Sequence, residues 1–213
     1  QTINLVVLDL DGKPLAGQEV NVEFEEQQWF SVERKDEYGI SQWETSVKSI
    51  PVGSEKATTA EDGTAMVSFT PEKGGEYKVT VTASDSLNRP SSGSSYLWIS
   101  SNDYIAWRQT NDRSFQLVAD KNTYEPGDTA KILIAQPFEG ENYALITTER
   151  GHIYEEKVIK LQGNSTLYEL PITSDMAPVM YFSVMVVKPA DGKTPPDFKT
   201  GIVRLNRVRC LKR

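Results

Sequence analysis

The side chains able to do chemistry in this sequence are few, and their spacing is poor for it. His152 is the only histidine and Cys210 the only cysteine. A Ser–His–Asp arrangement would have to recruit His152 from a Gly151-His152 turn, and a metal site built on it would lack a second nitrogen or sulfur ligand at usable spacing. A single thiol forms no internal disulfide, so Cys210 leaves the redox compartment open. The acidic pairs Glu25-Glu26 and Glu155-Glu156 fall in strand-like runs, where adjacent residues point to opposite faces and share no proton. Glu61-Asp62 falls in a turn and reads as a solvated pair. Asp9, Asp11, Asp62 and Asp85 form a looser set that one end of a sandwich could gather round a calcium ion. Asn164-Ser165-Thr166 matches the glycosylation acceptor pattern. No Gly-rich phosphate loop, HExxH or GxSxG occurs. The expected catalytic, cofactor-binding and metal-binding residues are therefore none, and no cofactor is expected.

The elements that would carry these residues read as strands throughout. Leu117–Ile134, LVADKNTYEPGDTAKILI, is the most informative stretch. Pro126 presets the φ of the second turn residue and Gly127 tolerates positive φ at the third, which predicts a type II turn. After it, Ala130, Ile132 and Ile134 alternate with Lys131 and Leu133, the period of a strand. Val20, Val22 and Phe24 alternate with Glu19, Asn21, Glu23 and Glu25, and Tyr77, Val79, Val81 and Ala83 alternate with Lys78, Thr80 and Thr82. Each reads as a sheet with one wet face. Residues 31–54 lose the alternation and read as a long loop or an irregular hairpin with Tyr38-Gly39 near its tip. Ser84–Ser95 reads as a second polar stretch before YLWIS. Val179–Val187 is apolar on both faces, which implies that its second face is covered by a loop or a neighbouring domain.

Strands every 8–15 residues, turn residues between them and no helical periodicity predict an all-β fold: two tandem antiparallel sandwiches of immunoglobulin or fibronectin-III type, with about seven strands each. At 213 residues the chain accommodates two units of roughly 100. Ser100–Phe115 is polar apart from Tyr104, Ile105 and Trp107 and reads as the boundary, giving domains 1–104 and 105–213. Trp98 and Trp107 are expected to be substantially buried near it.

Charge narrows the partners. Residues 1–104 hold 8 Lys+Arg against 17 Asp+Glu, a net −9. Phosphate contacts need clustered Lys and Arg, so this half is no nucleic-acid surface. In the second half Arg204, Arg207, Arg209, Lys212 and Arg213 crowd the last ten residues without interleaved aromatics, which reads as a solvated tail. No window approaches the ~20 apolar residues of a membrane span. The chain starts at Gln1 without a signal-peptide pattern and stops inside a strand-like run, as a piece of something longer would.

Several runs also carry a resemblance. LDLDGKPLAG, TTAEDGTAMVSFTPEKGGEYKVTVTASD, YLWISSNDYIAWRQ, DKNTYEPGDTAKILIAQPFEG and ITSDMAPVMYFSV follow one another as in bacterial alpha-2-macroglobulins. There a macroglobulin-type domain precedes the bait-region segment. The resemblance covers nearly all of residues 1–205 and implies a scaffold piece of a broad-spectrum protease inhibitor, not an enzyme. Its partners would be neighbouring macroglobulin domains and, through the whole protein, target proteases. Its location would be extracytoplasmic, in the periplasm or cell envelope, with any lipid anchor outside this piece. RVRCLKR departs from the family's usual continuation. The family's Cys-x-Glu-Gln thioester is matched neither by Glu25-Glu26-Gln27-Gln28, which has no cysteine, nor by Cys210-Leu211-Lys212-Arg213. In such a chain Asn164-Ser165-Thr166 reads as a turn. The alternative is a tandem immunoglobulin-like binding module of a cell-surface adhesin or scaffold.

Overall fold

The computed structural model describes residues 1–35, 37–38, 41–161, 163–190 and 196–207. Cys210 and the basic cluster at 209–213 lie outside the described residues, as does Gly39 of the expected hairpin tip. Contacts group the chain into two compact units, Gln1–Trp29 with Val47–Ile99, and Phe30–Ser46 with Ser100–Arg213. Among the described residues no helix is long and apolar enough to cross a membrane.

The first unit faces a two-stranded sheet against a four-stranded one. β1 (Thr2–Val6) and β4 (Thr64–Ser68) pair antiparallel, with Ile3 opposite Val67 and Leu5 opposite Ala65. The larger sheet runs β3 (Ser41–Thr58), β2 (Glu19–Lys35), β5 (Gly75–Ser84), β6 (Pro90–Ile99). Alternation does what it predicted here. Val20, Val22 and Phe24 turn inward beside Tyr77 and Val79 and meet Val67 and Phe69 of the opposing layer. The Phe24 and Phe69 rings stack at 4.4 Å, and Tyr77 meets Phe69 edge-on at 5.2 Å, geometries that suit the ring quadrupoles.

The second unit is also a sandwich. β12 (Thr166–Pro171), β9 (Thr129–Ile134) and β7 (Leu117–Ala119) form one sheet. The other runs β11 (Ile153–Leu161), β10 (Asn142–Glu149), β13 (Val179–Lys188), β14 (Asp197–Arg207), β8 (Thr123–Tyr124). Pairing is antiparallel except for the short parallel β14–β8 contact. Ala144 and Ile146 of β10, Met180, Phe182, Val184 and Val186 of β13, and Ile132 and Ile134 of β9 meet in the core. The Glu125–Asp128 turn is as expected: Asp128 N–H donates to Glu125 O at 3.1 Å and Gly127 has φ +93°.

Three expectations need correction, and one open reading is decided. Among the described residues the units hold six and eight strands, not about seven each. Residues 31–35 and 41–54 belong to β2 and β3 with Glu37 and Tyr38 in a turn, so of the two readings of that region the hairpin holds. Ser91–Ser95 lies inside β6, in unbroken register with β5. Trp98 is only half-buried, with its ring 6.0 Å from Tyr96. The reason the start of β6 was not read as a strand is exposure. Alternation records one wet and one dry face, and strands with two wet faces, such as the first half of β6, leave no such record.

Candidate functional site

Among the described residues the reactive types do not converge. His152 lies in a three-residue loop, Arg150 to His152, rather than a two-residue one, and its ring stacks on Tyr154 at 4.1 Å. Arg150 beside it is occupied by structure: its guanidinium donates to Tyr154 Oη at 2.8 Å, to Asp175 O at 3.1 Å, to Val179 O at 3.3 Å and to Ala177 O. The acidic pairs split as strand geometry requires. Glu26 accepts from Lys73 at 2.8 Å on one face, while Glu25 stands opposite Lys78 on the other. Among the described residues no group of three or more His, Cys, Asp or Glu is arranged to hold a metal ion.

The aspartates proposed as a calcium set each serve their own turn. Asp9 Oδ1 accepts the amides of Asp11 and Lys13 at 2.9 and 2.8 Å. Asp62 accepts from the Thr64 hydroxyl and amide, and Asp85 from the amides of Leu87 and Arg89 and from Arg89 Nε. Asp112, Asp128 and Asp175 repeat the pattern elsewhere.

These hydrogen bonds have a consequence for pH. The Thr64 hydroxyl holds the Asp62 carboxyl below the usual aspartate value, the Arg89 amide does so for Asp85, and the Thr110 hydroxyl for Asp112. The Glu125 amide lowers Asp128 and the Thr173 hydroxyl lowers Asp175. A carboxyl depressed in the folded state binds fewer protons there than in the unfolded chain. Its contribution to stability is complete above the unfolded aspartate value of about 4 and is lost as the pH falls through the folded one. Melting temperature should therefore drop as the pH falls below about 4. A melting temperature that stays level from pH ~5 down to pH ~2.5 would show that these turns do not matter to stability.

Three positions in the second unit do structural work that their residue types alone did not reveal. Asn164 is buried, and its side chain imitates a strand partner for Ile105: Oδ1 accepts the Ile105 amide at 3.1 Å and Nδ2 donates to the Ile105 carbonyl at 2.6 Å. Its own carbonyl accepts the Trp107 indole N–H at 2.8 Å. Trp107 is therefore buried as expected, inside the second unit. The matched acceptor pattern describes a buried clamp, not an accessible modification site. Asn164→Ala should cost about 2 kcal/mol, since it strands the buried Ile105 amide and leaves the Ile105 carbonyl only the Trp107 amide as donor. A denaturant midpoint unchanged by the substitution would remove the clamp from the account.

Lys199 is the second. It is 5% exposed on the Val186 register of β14, and its ammonium donates to the carbonyls of Thr110 and Asp112, both at 2.8 Å. Burial pulls its pKa below the ordinary lysine value, with Asp112 and Asp197 pulling the other way. The segment so shaped also receives the end of the β2–β3 hairpin, all within the second unit. Asn111 exchanges hydrogen bonds with the Trp43 backbone at 2.5 and 3.1 Å, and the Thr45 hydroxyl donates to Gln109 O at 2.9 Å. The third is Gly201, where an added Cβ would lie 2.8 Å from Leu117 Cγ and 3.0 Å from Phe115 O. Each depends on a partner far away in sequence. The only local hint was a polar or small residue at an inward position of a strand-like run.

Two antiparallel sandwich units define a modular all-β protein. Residues 1–97 match the family model for bacterial macroglobulin domain 6, and residues 115–213 match that for the alpha-2-macroglobulin bait region domain. The chain belongs to the bacterial alpha-2-macroglobulin family. It is 25% identical over 187 residues to an alpha-2-macroglobulin homolog of a Nostoc species, covering 87% of this chain and 10% of that protein. It is 26% identical over 192 residues to the alpha-2-macroglobulin of Escherichia coli, covering 88% and 11%. The native conformation of the E. coli protein, solved by cryo-electron microscopy, shares 22% identity with a TM-score of 0.40 over 98% of this chain and 13% of that one. The chain thus spans about a tenth of the length of the curated relatives it matches.

Proposed function

We propose that the chain is a scaffold section of an alpha-2-macroglobulin-type protease inhibitor that acts outside the cytoplasm, in the periplasm or cell envelope. The observation that carries this is the succession of two family matches, macroglobulin domain 6 and then the bait region domain, along one chain. In the whole protein, cleavage of the bait would release a rearrangement that closes the shell of domains round the protease. Packed β-sandwiches suit that task because they move as bodies and do not deform continuously. The section itself performs no catalysis on this reading. It positions its neighbours and presents faces to them, and contact with target proteases belongs to the full-length protein.

The test is to incubate the full-length protein with an equimolar protease and assay two substrates. A trapped protease should lose activity on a large protein substrate and keep it on a small peptide that still reaches the enclosed active site. Full activity on both would overturn the proposal.

A further inference from the structure

β13 is apolar on both faces, but only one of them is in the core. Its inward residues Met180, Phe182, Val184 and Val186 are fully buried. The outward Met185 stands opposite Leu145, and the outward Val187 opposite Tyr143. Val158 of β11 continues the Leu145 row, and Ile202 of β14 lies beside Ser183. Together Tyr143, Leu145, Val158, Met185, Val187 and Ile202 form one apolar face, with exposures from 37% to 67%. The first unit supplies a comparison. Its central strands β2 and β5 turn Asn21, Glu23, Glu25, Lys78, Thr80 and Thr82 outward, the wet face usual for an antiparallel sheet. The apolar outer face is therefore a property of the second unit and not of the sandwich architecture.

We infer that this outward face of β10, β13 and β14 is the seat of another domain of the same polypeptide, one lying outside residues 1–213. The inference rests on the reading that the chain works as a section of a longer protein. Chemistry selects a protein surface as occupant. The face is a pleated sheet whose cleft beside Met185 and Ile202 lies open to solvent, unlike pockets that bury most of a small ligand's surface. Glu149, Glu156, Lys160 and Arg204 lie at its margins, opposite Tyr181, Thr147, Tyr143 and Tyr181 respectively. Charges of both signs round an apolar centre fit a protein partner better than an anionic membrane or a nucleic acid. A covalently linked partner is favoured because relatives of which this chain covers about a tenth have length for many further domains, and the matched domain is the sixth of a numbered series. A partner tethered in the same chain acts at high effective concentration, so a modest face of this kind suffices to hold it.

The experiment reads the accessibility of a thiol at the centre of the face. In a Cys210→Ser background, Met185→Cys is placed both in the 213-residue chain and in the full-length protein, and maleimide labelling is timed under native conditions and in urea. The two should label alike in urea, while the native full-length protein should label at least about tenfold more slowly than the isolated chain, since only local opening exposes a covered site. Val158→Cys provides a second reading should the substitution at Met185 impair folding. Equal native rates in the two proteins would overturn the inference. So would slowing in the isolated chain as its concentration rises, because the occupant would then be a second copy. The labelling is independent of protease trapping: a protein that traps with Met185→Cys freely labelled refutes the docked face alone, and one that protects the thiol without trapping refutes the functional reading alone.

Discussion

Replacing Phe182 with alanine should cost about 4 kcal/mol, the cost expected for a phenylalanine removed from a closed core. Phe182 is fully buried at the middle of β13, between Thr148 of β10 and Val203 of β14, with its ring 5.3 Å from that of Tyr168 across the sandwich. Deleting it removes the transfer free energy of the ring and leaves a cavity walled by paired strands, which cannot collapse without breaking ladder hydrogen bonds. Phe182→Leu keeps part of the volume and should cost clearly less. Urea titrations followed by far-ultraviolet circular dichroism measure both. An alanine variant within about 1 kcal/mol of the parent would mean that the site relaxes and that the core is not packed as described.

The second large effect is expected at Gly201. Its backbone is ordinary for a strand, so the constraint is space: a Cβ would press on Leu117 Cγ at 2.8 Å, Phe115 O at 3.0 Å and Phe115 Cζ at 3.2 Å. One of these atoms is backbone and held in place, since Phe115 N–H donates to Thr200 O at 3.0 Å. Gly201→Val should therefore cost about 3 kcal/mol through overpacking. Gly93 in β6 is the matched control, with nothing within 4 Å of the added carbon. Gly93→Ala should be neutral or stabilising by about 0.5 kcal/mol, because alanine restricts the unfolded chain more than glycine does. Equal effects at the two glycines would contradict the packing of β14 against β7.

The residues that made the fold legible were those with one wet and one dry side. Val20–Val22–Phe24 and Tyr77–Val79 each kept the period of two, and each lies on the face that the alternation assigned. The turn at Pro126-Gly127 was legible because its two residues have narrow backbone preferences. Where exposure is two-sided the record disappears, and so the serine-rich start of β6 read as loop. Long-range partners are equally hidden. Asn164 is separated from Ile105 by 59 positions, and Lys199 from Thr110 by 89. The outer side of β13 read as covered by a loop or a neighbouring domain, whereas among the described residues Met185 and Val187 stand exposed.

The proposed role is that this section holds and presents other domains and does no chemistry of its own. It is tested most directly by mixing the isolated 213-residue chain with equimolar trypsin or elastase, and separately with methylamine, and measuring residual protease activity and intact mass. A covalent trap needs an acyl bond with a good leaving group, such as a thioester, and neither Glu25-Glu26-Gln27-Gln28 nor Cys210-Leu211-Lys212-Arg213 supplies the residues for one. The account predicts full protease activity and an unchanged mass with methylamine. Lasting inhibition at equimolar chain, or a mass change that requires methylamine, would contradict it.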